Sequence, residues 1–343
     1  MADKGICSLR VGLLHMLAGG VYAWRASSCA SPPLEQSRSK VVSVISESHI
    51  LKAIEFLSAS PRNSRESPED HIRAGNWIAK EFEQLGLTVD RQEFEIPDQS
   101  PARSGTNIVG TLNPLSTKKS LLIGAHYDTV PGSPGADDNA SGVAAMLECA
   151  RLLVESGSDR KVTFVAFDAE EIQPPVEGLH GSTAYISNLP ESQHPSSAII
   201  LETIGFSSAE IKQQLPGSFR FLFRRAFKAL RSQNFEANSL LVLSKRDSRQ
   251  LSRTLEQTAA QPEIKLPILP LEVPWWMPLV RNLRRSDHAP FWAANVPAVM
   301  ISDTANFRNP HYHQPTDTAE TIDVKLIVKL VKTIVDAIKF NAI

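Results

Sequence analysis

Residues Leu121–Gly142 read LLIGAHYDTVPGSPGADDNASG. The segment starts as a short apolar run, as a strand buried on both faces does, and His126 and Asp128 stand where that run ends. A loop rich in Gly and Pro leads to Asp137-Asp138-Asn139, and Ala140-Ser141-Gly142 opens a helical pattern. Polar groups at the carboxyl end of a strand, followed by a helix start, mark the place where open α/β sheets keep their chemistry.

Working outward, the same construction recurs. Val162–Phe167 is a continuous β-rich apolar run ending in Asp168-Ala169-Glu170-Glu171, and Ser197–Leu201 is another ending in Glu202. Ala298–Ser302 leads into a loop holding His311 and His313. Runs of this kind without polar alternation belong to strands covered on both sides. Between them lie helical spacings at Ile45–Leu57, at Ser67–Phe82 (apolar Ile72, Trp77, Ile78 and Phe82, closed by Gly86), at Ser141–Glu155, at Gly178–Ile186, at Phe219–Leu230 and at Val324–Phe340. Leu87–Ile96 reads as a strand with one imperfect step. Asn107–Leu112 and Ser120–Gly124 read as a hairpin turning at Asn113-Pro114, and Ser239–Leu243 as a short strand. Strands alternating with helices predict an α/β three-layer sandwich with a mixed, mainly parallel central sheet flanked by helices. Leu251–Leu279, rich in Pro, is expected to be the least regular part.

The ends of the chain read differently. Lys4 and Arg10 precede the apolar run Val11–Trp24, and small residues follow it, the arrangement of an export signal. Residues 1–30 are therefore expected to be a signal peptide or a short uncleaved anchor, and 31–44 a linker. The protein would then be periplasmic or secreted, with membrane contact only if the leader stays in place; a start codon placed too early on a cytoplasmic protein is the remaining reading. Residues 45–343 are expected to form a single domain with an irregular insertion at about 206–285. A formal net charge of -1 gives no footprint for nucleic acid. Of three cysteines only Cys149 lies outside the leader, so neither a disulfide framework nor a thiolate metal site is expected.

The chemistry is carried by His126, Asp128, Asp138, Glu170, Glu171, Glu202 and His313. Taken singly, each has an ordinary explanation: a polar residue closing a strand, or an acid favoured at a helix start. Recurring at successive strand ends, they point to nitrogen and oxygen ligands converging on a metal, with Zn²⁺ the best match and Co²⁺ or Mn²⁺ as substitutes. No Gly-x-Ser-x-Gly nucleophile elbow is present, and Cys149 sits in the middle of a helical pattern.

His126-Tyr-Asp128, Gly135-Ala-Asp-Asp-Asn-Ala-Ser-Gly142, Glu170-Glu171, Ser286-Asp-His-Ala-Pro-Phe291 and Arg308-Asn-Pro-His-Tyr-His313 resemble the signatures of the co-catalytic zinc aminopeptidases. That family also includes glutamate carboxypeptidase II and glutaminyl cyclases, and the resemblance runs from about Ile45 to Phe340. It implies two zinc ions bridged by Asp138, one held by His126 and Glu202, the other by Glu171 and His313. It further implies Glu170 as general base, Asp128 as the carboxylate orienting His126, and peptides with a free N-terminus as substrates. Asp137 is expected to shape the loop, and Asp287 and His288 to support the site or its pocket. His311 and His313 are close enough that spacing alone does not choose between them. A single-zinc glutaminyl cyclase and a non-catalytic binding protein are the rival readings. Trp275-Trp276 reads either as a pocket wall or as packing. Together with Phe291 it raises the expectation of an apolar substrate side chain.

Overall fold

Four parallel strands end along one edge of the sheet, and this is what assembles the site. The computed structural model describes residues 44–96, 103–171, 178–214, 219–274 and 283–339. The leader, most of the linker and Trp275-Trp276 lie outside the described residues, as does the Ile172–Glu177 loop. In chain order the strands are β1 (Thr88–Ile96), β2 (Arg103–Leu112), β3 (Leu121–His126), β4 (Val162–Phe167), β5 (Ser197–Glu202), β6 (Ser208–Lys212), β7 (Glu236–Ala237), β8 (Leu240–Ser244), β9 (Ile268–Glu272) and β10 (Ala298–Ser302). Eight of them form one sheet in the order β1-β2-β4-β3-β5-β10-β8-β9; β6 and β7 pair separately. β4, β3, β5 and β10 are mutually parallel, β1 and β2 run antiparallel at one side, and β8–β9 form a parallel pair antiparallel to β10. The sheet is thus mixed and mainly parallel, as expected.

The helices are α1 (Glu47–Leu57), α2 (Pro68–Gln84), α3 (Gly142–Glu155), α4 (His180–Ser187), α5 (Phe219–Leu222), α6 (Arg224–Ser232), α7 (Arg249–Ala259), α8 (His288–Ala293) and α9 (Val324–Lys339). They cover both faces. Ile123, Ala125, Phe164, Ala166, Ile199 and Leu201 point into a core shared with α1, α2, α3, α7 and α9. Their alternates Leu122, Val165, Phe167, Ala198 and Ile200 point into a second core with α4, α6 and α8. Both alternating sets are apolar, which is why these strands carry no polar period. Local signals set the helix ends. The Ser46 hydroxyl accepts the His49 amide at the start of α1, a contact worth about 1 kcal/mol. After α2 the chain reverses at Gly86, whose φ of 76° suits a residue without a Cβ.

Four expectations need correction. β2 does not form a hairpin with β3; it pairs antiparallel with β1 and β4, and β4 lies between it and β3. Ile72 is 61% exposed, because the buried face of α2 is phased one residue earlier through His71, Ala74, Ile78 and Phe82. The Phe219–Leu230 helix is broken at Phe223, which leaves helical geometry (φ -122°, ψ 58°) and buries its ring in the second core. The Pro-rich stretch expected to be irregular contains α7 and the outermost strand β9. Pro270 lies within β9, and an edge strand is where a residue without a backbone N–H is tolerated. Among the described residues no helix is long and apolar enough to cross a membrane.

Candidate metal centre

The ends of β3, β4 and β5 and the loop after β10 bring the predicted residues together. His126 closes β3 and Glu202 closes β5; Glu170 and Glu171 follow β4 by three and four residues. Asp138 arrives from the Gly135–Ser141 loop. Gly135 enables that loop: its φ is 64°, and a Cβ there would stand 2.2 Å from the Asp138 carbonyl oxygen. The Asp138–Asn139 peptide is cis.

Asp138 lies between two histidines. Its Oδ1 is 3.3 Å from His126 Nε2 and its Oδ2 is 3.1 Å from His313 Nε2. Each histidine has a second carboxylate: Glu202 Oε2 at 3.5 Å from His126 Nε2, and Glu171 Oε2 at 3.4 Å from His313 Nε2. Glu170 belongs to the His126–Glu202 side of the cluster. All of these residues are buried except His313, which is half-buried. None of His126 Nε2, His313 Nε2 or the two Asp138 oxygens has a hydrogen-bond partner. The atoms face one another without aligning as hydrogen bonds, as ligands do around a cation.

Electrostatics gives the same answer. Burial opposes charge on His126, but Glu202 and Glu170 outweigh it and hold the imidazole's proton affinity well above its ordinary value. Burial also pushes Glu170 well above the usual carboxylate range; His126 opposes this, while Glu202, Glu171 and Asp287 add to it. Glu171 is pushed up to about 8 by burial and by Asp138. Carboxylates at this density require positive charge to stay ionised together, and oxygen and imidazole donors without thiolate fit Zn²⁺.

Asp128 supports the cluster from behind. Its Oδ1 is 3.5 Å from His126 Nδ1, and its carboxylate accepts the amides of Glu170 at 3.0 Å and Glu171 at 3.2 Å. His126 Nδ1 also faces the Asp128 carbonyl at 3.2 Å. With only acceptors around it, Nδ1 carries the proton, which leaves the Nε2 lone pair facing Asp138 and Glu202. On the Glu202 side, the Ser286 hydroxyl donates to Glu202 Oε2 at 2.7 Å.

Other residues take different places. Asp137 points away from the cluster and accepts the Gly205 amide at 2.7 Å and the Asn309 side-chain amide at 2.6 Å. His311 turns to Thr316 Oγ1 at 2.9 Å, so His313 alone of the pair reaches Asp138. Asp287 is buried near the carboxylates, and burial pushes it up to about 7. His288 faces elsewhere: Nε2 lies 3.0 Å from the Leu283 carbonyl and the ring packs on Trp292, so it supports the fold rather than a pocket. Phe291 is fully buried against Phe167 and Tyr185, which removes it as a pocket wall.

Two residues that sequence reasoning passed over hold the site's loops. Arg62 is buried and donates to four backbone carbonyls: Leu57 and Pro134 at 2.6 Å, Tyr127 at 2.7 Å and Gly135 at 2.9 Å. Asp317 accepts the amides of Asp137 at 2.8 Å and Asp138 at 3.1 Å. Both act on the backbone, so no spacing of side-chain types announces them.

Comparison with known proteins places this geometry. The signature of Peptidase family M28 matches residues 107–259 and 277–338. An uncharacterized protein of Escherichia coli K12, YfbL, is 30% identical over 301 residues, covering 83% of this chain and 85% of its own length. Aminopeptidase YwaD of Bacillus subtilis 168 is 34% identical over 146 residues, 40% of this chain and 31% of its own. Among solved structures, the zinc aminopeptidase BSAP from Bacillus subtilis superposes with a TM-score of 0.64 at 18% identity, covering 87% of this chain and 95% of that one. Porphyromonas gingivalis glutaminyl cyclase does so with 0.64 at 20%, covering 87% and 99%. At these identities the two structures speak to the fold. The family match, reinforced by the long alignment to YfbL, is the basis for assigning this chain to Peptidase family M28.

Proposed function

We propose that the protein is a zinc-dependent aminopeptidase that removes N-terminal residues from peptides, with two metal ions that Asp138 would help to hold, one through each carboxylate oxygen. The observation that carries the reading is the placement of the two Asp138 oxygens, each against a different histidine that has its own glutamate. His126 and Glu202 would hold one ion, and Glu171 and His313 the other. Two bound zinc ions would acidify an attacking water and polarise the scissile carbonyl.

The chain's own groups supply the rest. Glu170 groups with His126 and Glu202 and has its backbone fixed by Asp128; with His126, Asp138, Glu202, Glu171 and His313 taken as the ligands, it is the carboxylate left for proton transfer. It takes the proton from the attacking water and delivers it to the leaving amine, acting as base and then as acid. A substrate's free amino group is drawn to the carboxylates, which favours cleavage at the N-terminus. The aminopeptidase name carried by YwaD supports the same reading. A glutaminyl cyclase is the second reading, favoured by the shared fold with the Porphyromonas gingivalis enzyme. The Glu171–His313 pair, which would supply a second metal position, weighs against it.

Metal analysis and turnover on aminoacyl-nitroanilides test the proposal together. The expected result is two zinc ions per chain and N-terminal release abolished by chelation. One zinc per chain with pyroglutamate formation from N-terminal glutamine would overturn it in favour of the cyclase. In Glu170→Gln the metal content should persist while turnover falls by roughly 10²–10⁴-fold. Loss of metal in that variant would exchange the roles of Glu170 and Glu171.

A further inference from the structure

A cation stands beside this acidic cluster without pairing to any part of it. Arg285 is exposed and immediately precedes Ser286, whose hydroxyl holds Glu202. Its guanidinium donates to the Tyr312 hydroxyl at 3.3 Å and to Asn306 Oδ1 at 3.4 Å, both long and both neutral acceptors. Tyr312 in turn stacks on His313, with ring centroids 3.8 Å apart. Arg285 is thus linked by its neighbour to the Glu202 side of the centre and by its own side chain to the His313 side. Among the described residues no carboxylate lies within ion-pairing distance of it, although the nearby Asp138, Glu171 and Glu202 all face the histidines.

An arginine fork is built for a planar carboxylate, and a carboxylate arriving there would replace two weak contacts with a charge-assisted pair. The aromatic argument for an apolar side chain has meanwhile lost Phe291 to the core. We propose that Arg285 reads a carboxylate on the substrate. On this view the enzyme favours peptides carrying negative charge beside the scissile bond over neutral ones. The inference rests on the aminopeptidase reading above. The carboxylate comes either from an acidic N-terminal side chain or from the free C-terminus of a dipeptide.

The zinc-loaded full chain is tested on three peptides: Leu-Ala-amide, which is neutral, Leu-Ala, with a terminal carboxylate, and Glu-Ala-amide, with an acidic side chain. At least one charged peptide should exceed the neutral one by about fivefold in kcat/KM, mainly through KM, the size expected for one charge-assisted contact at an exposed site. Which charged peptide gains identifies the source of the carboxylate. In Arg285→Met that ratio should fall to about one, and in Arg285→Glu below one. A ratio left unchanged by Arg285→Met, or a wild-type preference for the neutral peptide, would overturn the proposal. Calorimetric binding of the same peptides to zinc-loaded Glu170→Gln separates the two readings. If no peptide is cleaved, the aminopeptidase reading falls, while binding that depends on both charge and Arg285 still upholds carboxylate recognition and binding without that dependence rejects it.

Discussion

The Asp128 carboxylate accepts the backbone N–H of Glu170 at 3.0 Å while its Oδ1 stands 3.5 Å from the His126 ring. One side chain therefore fixes both a candidate ligand and the candidate base, and it fixes the base through the main chain.

Asp128→Asn preserves shape but leaves one carbonyl oxygen where two carboxylate oxygens acted. Outer groups of this kind are worth roughly 10–100-fold in metal affinity or activity. We expect a loss in that range in both zinc affinity, read by competition with a chromophoric chelator, and kcat/KM. A loss in kcat/KM with unchanged zinc affinity would confine Asp128 to placing Glu170.

Arg62 stays charged although burial lowers its pKa to about 10. Removing it in Arg62→Met takes a charged donor from four carbonyls, of which Gly135 keeps the Ala140 amide, and hydrogen bonds to charged groups contribute about 1.5–3 kcal/mol each, though not additively. A loss of several kcal/mol of unfolding free energy in urea, with weaker zinc binding, is expected. Arg62→Lys should recover only part of it, because a single ammonium cannot span Tyr127, Pro134 and Gly135 together.

Histidine 288 makes stability fall in acid. Burial holds it neutral, with its pKa lowered to about 4, whereas the unfolded chain binds a proton near pH 6.5. As pH falls from about 6.5 to 4, the unfolded state takes up a proton that the folded state refuses, so stability declines through that window. The full loss is about 3 kcal/mol for a shift of this size. His288→Gln keeps a donor for the Leu283 carbonyl and does not titrate. Its unfolding free energy should therefore depend less on pH between 4 and 6.5 than that of the wild type, whatever its absolute stability.

Removing metal should unsettle the fold as well as the activity. With Asp138, Glu170, Glu171 and Glu202 left to repel one another, the chelated protein should melt several degrees below the zinc-loaded one. The gap should widen with free zinc, because a ligand that binds only the folded state stabilises it in proportion to the logarithm of its concentration. A melting temperature indifferent to zinc would contradict the metal centre.

Ala169, Thr203 and His313 all have positive φ, at 53°, 46° and 59°. His313 is itself a donor position, Thr203 follows the donor Glu202, and Ala169 precedes the candidate base Glu170. At Ala169 the strain can be relieved without touching a functional side chain. Ala169→Gly should gain about 1 kcal/mol in the folded state, offset in part by the freer unfolded chain. A clear loss of stability would mean that the Ala169 methyl, which packs with Phe94 and Ile96, outweighs the backbone term.

What could be read from the sequence follows from how local each signal is. β3, β4, β5 and β10 are continuous apolar runs with chemistry at their ends, and they were legible in full. β9 was not, because Pro267 and Pro270 read locally as loop and only the tertiary position at the sheet's edge makes a strand of them. The β2–β3 hairpin misled because adjacency in sequence favours pairing, whereas β4 offered β3 a parallel partner buried on both faces. The site shows the same division. His126, Asp138, Glu171, Glu202 and His313 stand out as titratable groups at strand ends and loops. Apart from the Leu57 carbonyl, Arg62 and Asp317 act on carbonyls and amides 65 to 180 residues away, and nothing near them in the chain records that.

The two borders of the sheet have a consequence for how copies of this protein meet. A bare strand edge is a template onto which another chain can add. At one border β1 exposes Asp90, Arg91, Glu93 and Glu95, and any strand laid beside it would have to accommodate those charges. At the other, Pro270 interrupts the row of donors that β9 would offer. Neither border favours extension of the sheet from one molecule into the next. Partly unfolded molecules with these borders intact should accordingly resist stacking into fibrils.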